Sequence, residues 1–114
     1  MKIAFIGGGV MGEAMLAAVL EKELSTPQAV SVSDVDEARL EHLEQKYGVA
    51  VTGSNRQAAE RGEVVVLAIK PQNLAEVMTE FGGQLKPTQL VLSIIAGARI
   101  DTLSLGLKHG CIAR

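Results

Sequence analysis

Gly7, Gly9 and Gly12, within IGGGVMGEAM, have the spacing G-x-G-x-x-G, and an aspartate, Asp34, follows about twenty residues later. Each residue type suits one task in holding a dinucleotide. Gly7 permits a tight turn out of a strand, Gly9 leaves no Cβ between the main chain and a diphosphate, and Gly12 lets the next helix approach the sheet closely. Gly8 is additional to the motif. Bare amides at the start of that helix, at the positive end of its dipole, can hold a diphosphate without a cationic side chain. Asp34 can accept hydrogen bonds from both ribose hydroxyls of the adenosine half, and its charge opposes a 2′-phosphate. The coenzyme expected is therefore NAD(H) or NADP(H), with NAD(H) preferred because of Asp34. Arg39 or Arg56 could fold back toward a 2′-phosphate. A mononucleotide P-loop, the rival for a glycine-rich turn, requires a Gly-Lys-Ser/Thr ending that is missing here.

A second group is Ala68-Ile69-Lys70-Pro71, where an apolar run stops abruptly. Lys70 is placed either to touch the coenzyme or a substrate carboxylate, or simply to be solvated. Ile95-Ala96-Gly97, after another apolar run, offers small residues where a nicotinamide ring needs a flat surface. His42 and His109 have no serine or cysteine partner nearby in sequence and read as solvated surface residues, so no catalytic residue is assigned. Cys111 is the single cysteine. It excludes an intramolecular disulfide and a multi-cysteine metal site, no metal is expected, and the residue reads as a small buried hydrophobe.

The elements that must position these groups follow from periodicity. Short apolar runs alternate with helix-period segments, the pattern of βαβ units around a parallel sheet. Strands are expected at Lys2–Gly7, Ala29–Asp34, Val49–Thr52, Glu63–Ile69 and Leu90–Ile95, with a sixth beginning at Gly110. The first and fourth are nearly continuous apolar runs and belong at the sheet centre, covered on both faces. Helices are expected at Val10–Glu23, from a cap at Asp36 through Tyr47, from Ser54 or Asn55 to near Gly62, at Asn73–Phe81 and at Ile100–Leu107. On the first helix, Met11, Ala14, Met15, Ala18 and Val19 read as the core stripe. The fold class is α/β: a doubly wound, Rossmann-type, mainly parallel sheet in the order 3-2-1-4-5-6, with helices on both faces.

The 114 residues are 47% hydrophobic and form one domain without linker or repeat. A net charge of -2, from 11 basic and 13 acidic residues, provides no basic stripe for nucleic acid, and Tyr47, Phe5 and Phe81 are too few aromatics for base stacking. No apolar run reaches the roughly twenty residues that span a bilayer, and no targeting segment is evident, so a cytoplasmic location without a membrane partner is expected.

IGGGVMGEAM, VVVLAIKPQNLAEVM and LVLSIIAG, in this order and spacing, resemble the N-terminal half of pyrroline-5-carboxylate reductase. The terminal CIAR resembles the segment just before that family's Pro-containing loop. The resemblance implies reduction of a small cyclic imine to proline with NAD(P)H, the last step of proline synthesis. It also implies coenzyme contacts at Ile6, Gly7, Gly8, Gly9, Val10 and Met11, at Asp34 and Asn55, at Ala68, Ile69, Lys70 and Pro71, and at Ile95, Ala96 and Gly97. Two departures stand out. Many members place a hydroxyl or basic residue where Asp34 stands, and the helical second domain that carries dimerisation and most of the imine site has no counterpart here. The chain is accordingly expected to be a truncated coenzyme-binding half that binds without turnover, its homo-oligomerisation belonging to the longer parent. The alternatives are the coenzyme domain of a deazaflavin-dependent NADP reductase or of a beta-hydroxyacid dehydrogenase, and a stand-alone dinucleotide-sensing module.

Overall fold

Valine, isoleucine and phenylalanine concentrate in four-residue runs whose alternate side chains point to opposite faces, so each central strand supplies two cores at once. The computed structural model describes all 114 residues. The elements run β1 (Ile3–Ile6), α1 (Val10–Glu21), β2 (Val30–Ser33), α2 (Glu37–Tyr47), β3 (Ala50–Thr52), α3 (Asn55–Arg61), β4 (Val64–Leu67), α4 (Leu74–Phe81), β5 (Leu90–Ser93), α5 (Ile100–Leu107) and β6 (Ile112–Ala113). Single 3-10 turns occupy Pro27–Ala29 and Pro71–Asn73. The strands form one sheet in the order β3-β2-β1-β4-β5-β6, with every pair parallel. This is the expected doubly wound topology, with β1 and β4 adjacent at the centre.

Register fixes which layer each side chain enters. Phe5 lies opposite Val32 and Val66, and these three pack with Ile3, Leu16, Val19 and Leu43 beneath α1 and α2. Ile6 lies opposite Leu67, and both pack on the other face with Ala58, Val77, Phe81, Leu103 and Leu107 beneath α3, α4 and α5. Full burial of side chains such as Phe5, Leu16 or Phe81 contributes about 1.5–3 kcal/mol each.

Helix ends follow their sequence signals. Asp36 caps α2, its carboxylate accepting from the amides of Ala38 at 3.0 Å and Arg39 at 3.4 Å. Gly48 ends α2 in the left-handed region at φ 73°, and Ser54 caps α3 through the Gln57 amide. No helix is long and apolar enough to cross a membrane.

Three expectations are corrected. The buried face of α1 is Gly12, Leu16 and Val19, while Met11 is 67% exposed and Ala14 and Ala18 face solvent. VMGEAMLAAVL is apolar nearly all round, so spacing singles out no face; the close approach at Gly12 sets the rotation instead. His109 is buried, its Nε2 2.6 Å from the Gln89 carbonyl oxygen, because Lys108 closes α5 with φ 54° and turns the chain back under β5. Cys111, one step further on, is exposed rather than buried.

Candidate functional site

The glycine turn leaves β1 at the carboxyl edge of the sheet. There Gly7 has φ 104°, and a Cβ on it would stand 2.6 Å from the Ala68 carbonyl oxygen at the end of β4. Its amide donates to the Ser33 carbonyl at 2.9 Å, tying the turn to the end of β2. A Cβ on Gly12 would meet the Gly7 carbonyl oxygen at 2.6 Å, so α1 presses directly on the turn. Around Gly9 the situation is reversed, since no atom lies within 4 Å of where its Cβ would be. Gly9 is the N-cap of α1 and has no side chain to serve the first-turn amides. Those donors are left for an anion at the positive end of the helix.

Beside this turn a crevice of about 430 Å³ opens between the ends of β1, β2 and β4 and one side of α4. Gly7, Gly9, Asp34, Asn55, Ala68, Ile69 and Lys70, all anticipated from the sequence, line it together. Ile6 is wholly buried in β1, and Gly8 lies behind the turn. Val10 and Met11 are exposed on the first turn of α1, and Pro71 is exposed where the 3-10 turn begins. Ile95, Ala96 and Gly97 do not line the crevice; they follow β5 at the same sheet edge, with Ile95 buried and Ala96 and Gly97 exposed.

Sequence reasoning missed a whole wall. Asn73, Glu76, Val77 and Glu80 face the crevice, joined by Ser33 and Val35. The signal was present in the i, i+3, i+4, i+7 spacing of the α4 residues, which places them on one helical stripe. Asn55 bridges the two sides. Its Oδ1 accepts from the Ser33 hydroxyl at 2.6 Å and its Nδ2 donates to Glu80 Oε2 at 3.0 Å.

Asp34 reaches back to the turn. Its Oδ2 accepts from the Gly8 amide at 2.8 Å and its Oδ1 from the Asp36 amide at 2.9 Å. Each oxygen keeps a further lone pair for a ribose hydroxyl. The two arginines considered for a 2′-phosphate are engaged elsewhere. Arg56 pairs with Glu60 one turn along α3, and Arg39 donates to the Gly8 carbonyl at 2.9 Å and to Glu13 Oε1 at 2.7 Å.

Glu13 is the most perturbed acid of the molecule. Hydrogen bonds from the Tyr47 hydroxyl and then from Arg39, with Lys46 and His42 close by, hold its pKa down at about 2. Lys46 is raised, chiefly through its hydrogen bond to Glu13, and Tyr47 is raised by burial and by the same carboxylate. No group of three or more His, Cys, Asp or Glu side chains converges as a metal site would.

A parallel sheet in this order, with a glycine turn feeding the open start of a helix and an acid closing the second strand, defines a dinucleotide-binding domain. The chain belongs to the family described as NADP oxidoreductase, coenzyme F420-dependent, whose sequence model matches residues 2–97. It is a nicotinamide-dinucleotide-binding chain.

The pyrroline-5-carboxylate reductase of Synechocystis is 36% identical over 100% of this chain and 42% of its own length. That of Methanosarcina acetivorans is 34% identical over 96% of this chain and 40% of its own. Among solved structures, the pyrroline-5-carboxylate reductase of Coxiella burnetii superposes with a TM-score of 0.84 at 30% identity, covering 93% of this chain and 39% of that one. The chain thus spans about two-fifths of the length of these relatives.

Proposed function

We propose that this chain is the coenzyme-binding part of a pyrroline-5-carboxylate reductase, in which a nicotinamide delivers hydride to the imine carbon of the cyclic substrate to give proline. The observation that carries this reading is the unobstructed Gly9 turn at the mouth of a crevice, in a chain similar along nearly its whole length to reductases of that name. Residues 1–114 act as one dinucleotide-binding unit. The turn from Gly7 to Gly12 holds the diphosphate, and Asp34 with Asn55 takes the adenosine ribose. Ala68 to Pro71 and Ile95 to Gly97, at the same sheet edge, flank the nicotinamide.

Hydride transfer requires the imine carbon held about 3–3.5 Å from the nicotinamide in aligned geometry. The helical domain of the longer enzyme would supply that grip and the homo-oligomeric contact. Residues 1–114 contribute the coenzyme site to that reaction.

The preferred coenzyme is NADH. The crevice carries the carboxylates of Asp34, Glu76 and Glu80 against the single cation Lys70, and neither Arg39 nor Arg56 is turned into it. A 2′-phosphate would enter an acidic rim, although the family's description names NADP. Calorimetric titration with NADH and NADPH tests this directly: tighter NADH binding is expected, and equal affinities would refute the preference. The same family description supports a second reading, a deazaflavin-dependent NADP reductase. A longer version of the protein that passes hydride between NADPH and coenzyme F420, while leaving pyrroline-5-carboxylate untouched, would establish it instead.

A further inference from the structure

Gly8 is the residue of the turn that never meets the crevice, yet both of its backbone groups are held by side chains. Its amide donates to Asp34 and its carbonyl accepts from Arg39 Nε at 2.9 Å. Arg39 is itself clamped by Glu13 at 2.7 Å, and Glu13 accepts from Tyr47 at 2.7 Å on its far side. The carbonyl of Gly8 and the amide of Gly9 belong to one planar peptide, and no peptide bond in the chain is cis. In a trans peptide these two groups point in opposite directions. Drawing the Gly8 carbonyl toward Arg39 of α2 therefore turns the Gly9 N–H the other way, away from α2, and Gly9 itself lines the crevice.

We infer that Arg39, locked in place by Glu13, is a positioning residue that presets the Gly9 amide for the coenzyme diphosphate. Its charge acts on the back of the turn and not on any phosphate. The assignment rests on the coenzyme reading above and deepens it. A flexible glycine peptide can rotate its plane freely, and a donor that must be reoriented at each binding event loses affinity. Arg39 removes that freedom, and Glu13 removes the freedom of Arg39, whose side chain is 31% exposed and would otherwise wander in solvent.

The test is calorimetric titration of the 114-residue chain and its variants with NADH, NADPH and ADP, the last carrying the diphosphate without nicotinamide or 2′-phosphate. Arg39→Ala is expected to weaken all three about tenfold, because the amide serves the group they share. Arg39→Lys, which can reach the Gly8 carbonyl or Glu13 but not both, recovers part of the loss. Glu13→Gln keeps an acceptor without the charge and falls between parent and Arg39→Ala, which holds the inference open to refutation should Arg39→Ala fail to fold. Tyr47→Phe relaxes Glu13 from the other side and is expected to lower the melting temperature with affinity within about twofold of the parent.

In unliganded Arg39→Ala, the ¹⁵N shift of Gly9 is expected to move while those of Gly48 and Gly97 stay. A loss confined to NADPH would make Arg39 a phosphate contact and overturn the inference, as would an Arg39→Ala chain with parental affinities. A Tyr47→Phe loss as large as that of Arg39→Ala would reduce the network to packing and overturn it too. A parent that binds none of the three ligands defeats the coenzyme reading and this assignment together.

Discussion

Gly9→Val separates a residue that faces a ligand from one that faces the fold. At Gly9 the backbone has φ -75° and ψ -166°, open to any amino acid, and the space around the missing Cβ is empty for 4 Å. Valine is a poorer N-cap than glycine, so a loss of about 1 kcal/mol is expected, small beside the roughly 5–15 kcal/mol that holds a domain of this size. Binding should respond far more strongly. The branched side chain occupies the approach of a diphosphate to the first-turn amides, and losing two charge-assisted hydrogen bonds at about 1.5 kcal/mol each raises Kd roughly hundredfold. Gly12→Ala is the counterpart: its Cβ would press on the Gly7 carbonyl oxygen at 2.6 Å, backbone against a helix that must shift, at about 1–3 kcal/mol of stability. Urea unfolding followed by circular dichroism measures the first quantity, and calorimetric titration with NADH and ADP the second. A Gly9→Val chain that keeps parental Kd for both ligands would refute the assignment of the diphosphate to this turn.

Other perturbations read other parts of the molecule. Asp34→Ser should narrow the NADH-over-NADPH preference by removing like charge from the rim, measured as the ratio of the two Kd values. Because Glu13 titrates at about 2 in the fold against an ordinary 4.5, its contribution to stability is complete above pH 4.5 and lost as pH falls toward 2. Glu13→Gln should therefore flatten the melting temperature of the chain across that acid window relative to the parent, and an unchanged pH profile would disprove the role of the carboxylate. Phe81→Ala, emptying a wholly buried site of the α4 and α5 layer, should cost about 3–5 kcal/mol in urea unfolding.

Much of the scaffold was legible because single residues carried its signals. IAFI and VVVL are too continuously apolar for a strand with one wet face, which puts β1 and β4 in the centre, and Asp36 and Gly48 bracket α2 by capping chemistry alone. The crevice was legible on its glycine side for the same reason, since Gly7 and Gly12 answer to contacts within a few residues or across one strand. What the sequence withheld depends on rotation and distance. The apolar surround of α1 hid its buried face, and the polar stripe of α4 could be assigned to the crevice only once the sheet order and the turn at Pro71 had aimed it. Arg39 could be imagined reaching outward to a phosphate; that it reaches inward to Gly8 depends on the angle at which α2 crosses the turn. His109 looked solvated because nothing local announces that Lys108 would bend the chain beneath the sheet.

Strand order also constrains how the molecule is made. β1 leaves the ribosome before the other five strands but sits between β2 and β4, so one edge of its backbone stays unpaired until Val64–Leu67 has been synthesised. In that interval β1, α1, β2, α2 and β3 can close one layer over Phe5 and Leu16, while the opposite face of β1, with Ala4 and Ile6, has only α3 to cover it until β4, α4 and α5 follow. Assembly is therefore paced by a distant pairing, and the nascent half-sheet is the species most exposed to chaperones or to misassociation.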